Sequence, residues 1–159
     1  MTQLLDALYR GDRDRVQALL ADDPELNVFE AAALGKTGRV RELVESDPSL
    51  VNAYGEDGFH PLGLASFFGH VETARLLLES GAEVDALSRN KRIQTAAIHA
   101  AAAAVNSDEN TRYELVKLVL EHGADPNLRQ GGGFRPIDAA RQNGDKRVEE
   151  LLLLRGAED

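Results

Sequence analysis

Between residues 69 and 86 the chain reads GHVETARLLLESGAEVDA, with apolar positions at Val71, Ala74, Leu77 and Leu78. Steps of three and four residues keep those side chains on one face of a helix, so the stretch predicts an amphipathic helix. Gly81 follows, free to take the left-handed conformation that ends a helix. The same pattern returns in TRYELVKLVLEHGADPNL (111–128) and GDKRVEELLLLRGAED (144–159). Diverged copies are GKTGRVRELVESDPSLVNA from residue 35 and GDRDRVQALLADDPELN from residue 11. With the Gly69 position as register, these helices start at Gly11, Gly35, Gly69, Thr111 and Gly144, at intervals of 24, 34, 42 and 33 residues. Self-similarity at such a period marks one supersecondary unit copied along the chain.

Ahead of each of these helices lies a shorter one rich in small residues, with alanine in register at Ala7, Ala31, Ala65, Ala101 and Ala140. Small side chains there let neighbouring units stack closely. Residues 1–159 thus read as a single domain of helix pairs, with approximate units 1–24, 25–58, 59–94, 95–133 and 134–159. Between units run NAYGEDGFHP (52–61), DALSRNKRIQTAA (85–97) and NLRQGGGFRP (127–136), all polar and turn-forming. In the first two units Asp23-Pro24 and Asp47-Pro48 replace Gly-Ala, and proline is expected to stop the helix. The 24-residue interval is about one hairpin short, which predicts a tight DDPELN connection without a projecting finger. The 42-residue interval carries nine extra residues, assigned as three to the SRNKRIQ finger and six to the VNSDENT connection.

Composition narrows the function. With 159 residues, 43% of them hydrophobic, the chain can bury one sizeable core. There is no cysteine, which excludes disulfides and thiolate zinc sites. No signal-peptide pattern and no apolar run near the roughly 20 residues of a membrane span is present, so a soluble, cytoplasmic protein is expected, with no membrane partner. A net charge of −9 repels phosphate backbones and argues against nucleic acid.

Candidate chemistry is sparse. None of His60, His70, His99 and His122 has a second histidine at helical ligand spacing, so no metal, cofactor or catalytic site is assigned. Gly131–Gly133 lacks the Lys-Ser/Thr of a phosphate loop and reads as a permissive turn. No serine stands in a G-x-S-x-G elbow. The alanine-rich AAIHAAAAAVN (96–106) is a close-packed first helix or the floor of an open groove. Arg89, Lys91 and Arg92 form a basic cluster in an acidic chain, either a solvated loop or a contact for an acidic partner.

The segments HPLGLASFFGH and FRPIDAARQNGD resemble the first-helix motif T-P-L-H-x-A-A-x-x-G-H of the ankyrin repeat family, and ARLLLESGAEVDA and VKLVLEHGADPNL resemble its L-L-L-x-x-G-A-D-x-N-A. The resemblance covers essentially the whole chain. It implies an all-α ankyrin repeat solenoid of stacked helix–loop–helix units with β-hairpin fingers, a non-catalytic module that binds another protein through its concave groove. The family's threonine and histidine tie finger to helix. Here the corresponding pairs are His60 with Gly63, Ala96 with His99, and Arg135 with Asp138, so that network is expected to be broken, save that Asp138 can cap its helix and Thr95, after a one-residue shift, can serve His99.

By the same resemblance the groove receives Tyr9 and Arg10, Ala33 and Leu34, Phe67 and Phe68, Ala103 and Ala104, and Gln142 and Asn143. Adjacent Phe67 and Phe68 cannot share one buried helical face, so at least one is expected to bind a partner. Phe59 and Tyr54 are expected to join them in an aromatic cluster rimmed by Glu56, Asp57 and the basic finger Arg89, Lys91 and Arg92, with Leu34, Gln142 and Asn143 completing the surface. Two other readings compete: a small ligand or enzyme-accessory role in the alanine-lined groove, and self-association of an otherwise monomeric chain through Leu154, which takes the outward position held by Glu79 and Glu121.

Overall fold

The computed structural model describes residues 1–104 and 107–159. Its helices come in pairs: α1 (Gln3–Arg10) with α2 (Arg13–Leu20), α3 (Val28–Leu34) with α4 (Thr37–Ser46), α5 (Pro61–Phe67) with α6 (Val71–Glu79), α7 (Ala97–Ala102) with α8 (Glu109–Glu121), and α9 (Pro136–Asn143) with α10 (Lys146–Leu154). First helices stack in the order α1, α3, α5, α7, α9, and behind them α4, α6, α8 and α10 form a second row. Ala31, Ala65, Ala101 and Ala140 are wholly buried, which is what lets the front row pack so closely. Leu62, Leu77, Leu115, Ile137 and Leu152 fill the space between the rows.

Helix ends follow the punctuation in the sequence. Gly81 and Gly123 are left-handed, at φ 100° and 90°, and the next amide closes each helix: Ala82 N to Leu77 O at 3.0 Å, Ala124 N to Val119 O at 3.0 Å. In the first unit α2 stops at Leu20, before Pro24, and Asp23 takes the positive φ of 47° that glycine takes elsewhere. Asp47 turns α4 into a short 3-10 segment, Pro48–Asn52, by accepting from Ser49 N at 3.1 Å. Helix α8 begins before its register position, because Asp108 caps it by accepting from Thr111 N at 2.7 Å. The expected VNSDENT connection includes Val105 and Asn106, which lie outside the described residues.

The fingers differ from the expected β-hairpins. Among the described residues there is no strand. Each finger is instead a turn closed by isolated backbone bonds: Gly55 N to Phe59 O (2.8 Å), Ser88 N to Thr95 O (2.9 Å) and Gln130 N to Phe134 O (2.9 Å). Single bonds then link finger to finger, Arg89 N to Gly58 O at 2.7 Å and Gly131 N to Gln94 O at 2.8 Å. Gly58 permits the first of these, because a Cβ there would stand 2.5 Å from Asn90 N.

The network expected to be broken is rebuilt from imidazole. His60 Nδ1 accepts from Gly63 N at 3.1 Å, so its Nε2–H donates to Ala86 O, beyond the second helix of the pair, at 3.0 Å. One unit on, His99 Nδ1 accepts from Ala96 N at 3.3 Å and its Nε2–H donates to Leu128 O at 2.8 Å. In the last pair Asp138 accepts from Arg135 N at 2.8 Å. In the first case a histidine stands where the motif has threonine, and in the second the motif's own histidine is kept.

Candidate functional site

The concave face gathers aromatic rings from two units. Tyr9, at the end of α1, has its ring centroid 6.3 Å from Phe59, 6.4 Å from Phe67 and 5.7 Å from Phe68, and the two phenylalanines meet edge to face at 5.0 Å. Phe67 and Phe68 are both half-buried, yet they do different things. Phe68 packs against the core. Phe67 faces a groove of about 500 Å³ lined also by Tyr9, Phe59, Ile93, Ala100 and Ala103. The 100° step between neighbours, which forbids a shared face, resolves as one ring inward and one into the groove.

Tyr54 does not join this cluster, contrary to expectation. Its ring stands edge-on to His60 at 5.8 Å, carries the Arg89 guanidinium 4.0 Å above its face, and its hydroxyl donates to Leu87 O at 3.1 Å. Tyr9 fills the place instead. Its hydroxyl donates to Asp57 Oδ2 at 2.7 Å, and burial followed by the Asp57 hydrogen bond raises the phenol's pKa above its ordinary value. Its place at a groove position was the available signal.

Of the other expected site residues, Asp57 and Arg92 line the groove, and Glu56, Arg89 and Lys91 stand around an adjoining shallow depression between the fingers. Glu56 pairs with the terminal amino group of Met1. Leu34 is half-buried at the end of α3. Gln142 and Asn143 are exposed on α9, away from the aromatic pocket, and Asn143 Nδ2 donates to Ala102 O at 3.2 Å. Ala103 is exposed at the groove while Ala104 is buried. Leu154 is 84% exposed on α10.

Asn90 sets the basic finger's shape. Its Oδ1 accepts from Arg92 N at 2.9 Å and Ile93 N at 3.0 Å, and its Nδ2 donates to Asp57 O at 2.7 Å. Ser88 closes the finger from beneath, donating to Ile93 O at 2.7 Å and accepting from Thr95 N at 3.1 Å. The histidines are all committed to carbonyls, His70 Nε2 to Ala33 O at 2.8 Å and His122 Nδ1 to Leu118 O at 2.9 Å besides the two above. Among the described residues no group of three or more His, Asp or Glu is arranged to hold a metal ion, and no helix is long and apolar enough to cross a membrane.

Comparison with known proteins agrees with this architecture. The family described as ankyrin repeats (3 copies) matches residues 4–90 and 28–130. The chain belongs to the ankyrin repeat family. Over 157 residues, 94% of this chain, it is 29% identical to ankyrin repeat and SAM domain-containing protein 6 of Mus musculus and spans 17% of that protein. It is 31% identical over 158 residues to the E3 ubiquitin-protein ligase Ufd4 of Drosophila melanogaster, covering 93% of this chain and 5% of the ligase. Ankyrin repeat and SOCS box protein 16 of Homo sapiens is 27% identical over 161 residues, 95% of this chain and 30% of the relative. The chain thus corresponds to a minor part of each. Ankyrin repeats are in general modules that bind other proteins.

Proposed function

We propose that this chain is a non-catalytic, cytoplasmic interaction module that holds a partner protein in its concave groove, against Phe59, Phe67 and the basic finger. The observation that carries the reading is the groove itself, apolar at its floor and walled by fingers that hydrogen bonds hold in place. A surface fixed before binding loses little freedom when a partner arrives. Half-buried aromatic rings that line a groove with a polar rim have the composition of an interface hot spot. The histidines support the non-catalytic reading, since their engagement with backbone carbonyls is structural.

Immobilised protein and a Phe59→Ser/Phe67→Ser variant of equal circular dichroism test this on the same lysate. A protein retained by the first and lost by the second is the expected result. Equal retention by both overturns the groove. Self-association is the second reading, favoured by the exposure of Leu154. Light scattering decides it, because a dimer that dissociates on Leu154→Glu supports it and a monomer throughout removes it.

A further inference from the structure

We propose that the groove's occupant is a short peptide segment of a partner protein in which an acidic residue stands beside a bulky apolar one. This rests on the groove reading above and adds the chemistry of what is read.

Charge supplies the first half. Arg89, Lys91 and Arg92 are exposed, and among the described residues none has a carboxylate within 4.0 Å, although the chain as a whole carries −9. The acids that line the same depression are already engaged. Glu56 holds the terminal amino group, and Asp57 accepts from Tyr9 Oη at 2.7 Å and from Phe59 N at 3.1 Å. The finger is therefore a local cationic spot on an anionic body. A broadly acidic partner is repelled by the rest of the chain, whereas a short segment brings its carboxylate to the finger alone.

Geometry supplies the second half. Asn90 fixes Arg92 and Ile93 as consecutive residues of one preset turn, and Ile93 is 52% exposed. Both side chains line the same groove as Phe59 and Phe67. A volume of about 500 Å³ is of the size that takes a drug-sized ligand, so it has room for a few side chains of a segment. A cationic and an apolar handle, side by side at the mouth, call for the complementary pair in the ligand.

A random library of short peptides displayed on phage, selected on the immobilised protein, reads the preference directly. Selected peptides are synthesised and their affinities measured by fluorescence anisotropy for wild type, Lys91→Glu/Arg92→Glu and Phe59→Ser/Phe67→Ser, each checked for folding by thermal melting. The expected result is enrichment of Asp or Glu next to Leu, Ile, Phe or Met. Charge reversal should weaken binding about tenfold or more, and added salt should weaken it in wild type. A peptide with Lys in place of its acid should recover binding to the reversed variant. Neutral or basic peptides that need Phe59 and Phe67 but ignore charge reversal overturn this inference and leave the groove reading standing. Peptides that bind the phenylalanine variant as well as wild type overturn both. Failure to enrich any peptide removes the linear segment as occupant, and the lysate comparison above then judges the groove separately.

Discussion

Tyr9 and Asp57, 48 residues apart, are joined by a hydroxyl-to-carboxylate hydrogen bond of 2.7 Å that ties the end of α1 to the first finger. The same bond places the Tyr9 ring beside Phe59, Phe67 and Phe68. Tyr9→Phe keeps the ring and removes only the donor. A hydrogen bond to a charged group contributes roughly 1.5 to 3 kcal/mol, and Asp57 retains Phe59 N as a partner, so the expected loss is near the low end, about 1.5 kcal/mol. Urea denaturation should show a lower midpoint at unchanged slope.

A polar residue in register does one job between successive units, and one copy does it by halves. Asn52 donates to Gly81 O at 3.1 Å and accepts from Glu83 N at 2.9 Å, and Asn127 repeats this with Gly156 O at 2.9 Å and Glu158 N at 2.8 Å. Asp85, in the middle, accepts from Asp125 N at 3.1 Å and, ionised, has no proton for the carbonyl of Gly123. Asp85→Asn should therefore add a bond and remove a carboxylate beside Asp125, raising stability by about 1 kcal/mol. An unchanged or lower urea midpoint would contradict the shared role.

The repeats were legible because their information is local. Val71, Ala74, Leu77 and Leu78 share a helical face whatever stands opposite, and Gly81 and Gly123 end helices by their own conformational freedom. What escaped depends on residues distant in sequence. Tyr54, close in sequence to Phe59, turns to His60 and Arg89, while Tyr9 reaches Phe59 from another helix pair. His60 and His99 occupy different positions of their helices, yet both aim Nε2 at equivalent carbonyls, Ala86 and Leu128. A motif compared letter by letter sees substitutions at His60, Gly63 and Ala96, and only the ring's reach shows that the tie survives. The β-hairpin expectation failed because the fingers are short turns, two of them containing glycine and the other held by the side chains of Asn90 and Ser88, with few backbone pairs.

Those two histidines give the protein an acid-sensitive step. Each accepts a backbone N–H at Nδ1, so protonation there sets two hydrogens against each other. Burial holds both below the ordinary imidazole value, with the backbone carbonyl bonds opposing in part, and burial acts on His70 in the same direction. With the folded pKa depressed, the unfolded chain takes up protons first as pH falls below about 6.5. The contribution of neutral His60 and His99 is thus present above that pH and lost progressively beneath it. Urea midpoints measured down through the mildly acidic range should fall for wild type and fall less for His60→Gln/His99→Gln, which is weaker at neutral pH but no longer titrates at these sites. A double variant with the wild-type slope would locate the sensitivity elsewhere.

Phe67 and Phe68 should separate binding from stability. Phe68 packs on the core and on Tyr9, so Phe68→Ser removes buried apolar surface from a half-buried ring and is expected to cost about 2 kcal/mol, less than the 3 to 5 typical of a fully buried phenylalanine. Phe67 faces the groove, and Phe67→Ser should leave the urea midpoint nearly unchanged while removing about 2 kcal/mol of partner affinity, the scale of an aromatic hot spot. Each variant is its partner's control, since the two rings are adjacent and touch at 5.0 Å. If Phe67→Ser unfolds early and, while folded, retains the partner normally, the ring is a packing element and the groove's floor lies elsewhere. If Phe68→Ser alone abolishes binding without loss of stability, the inward and outward assignments are reversed.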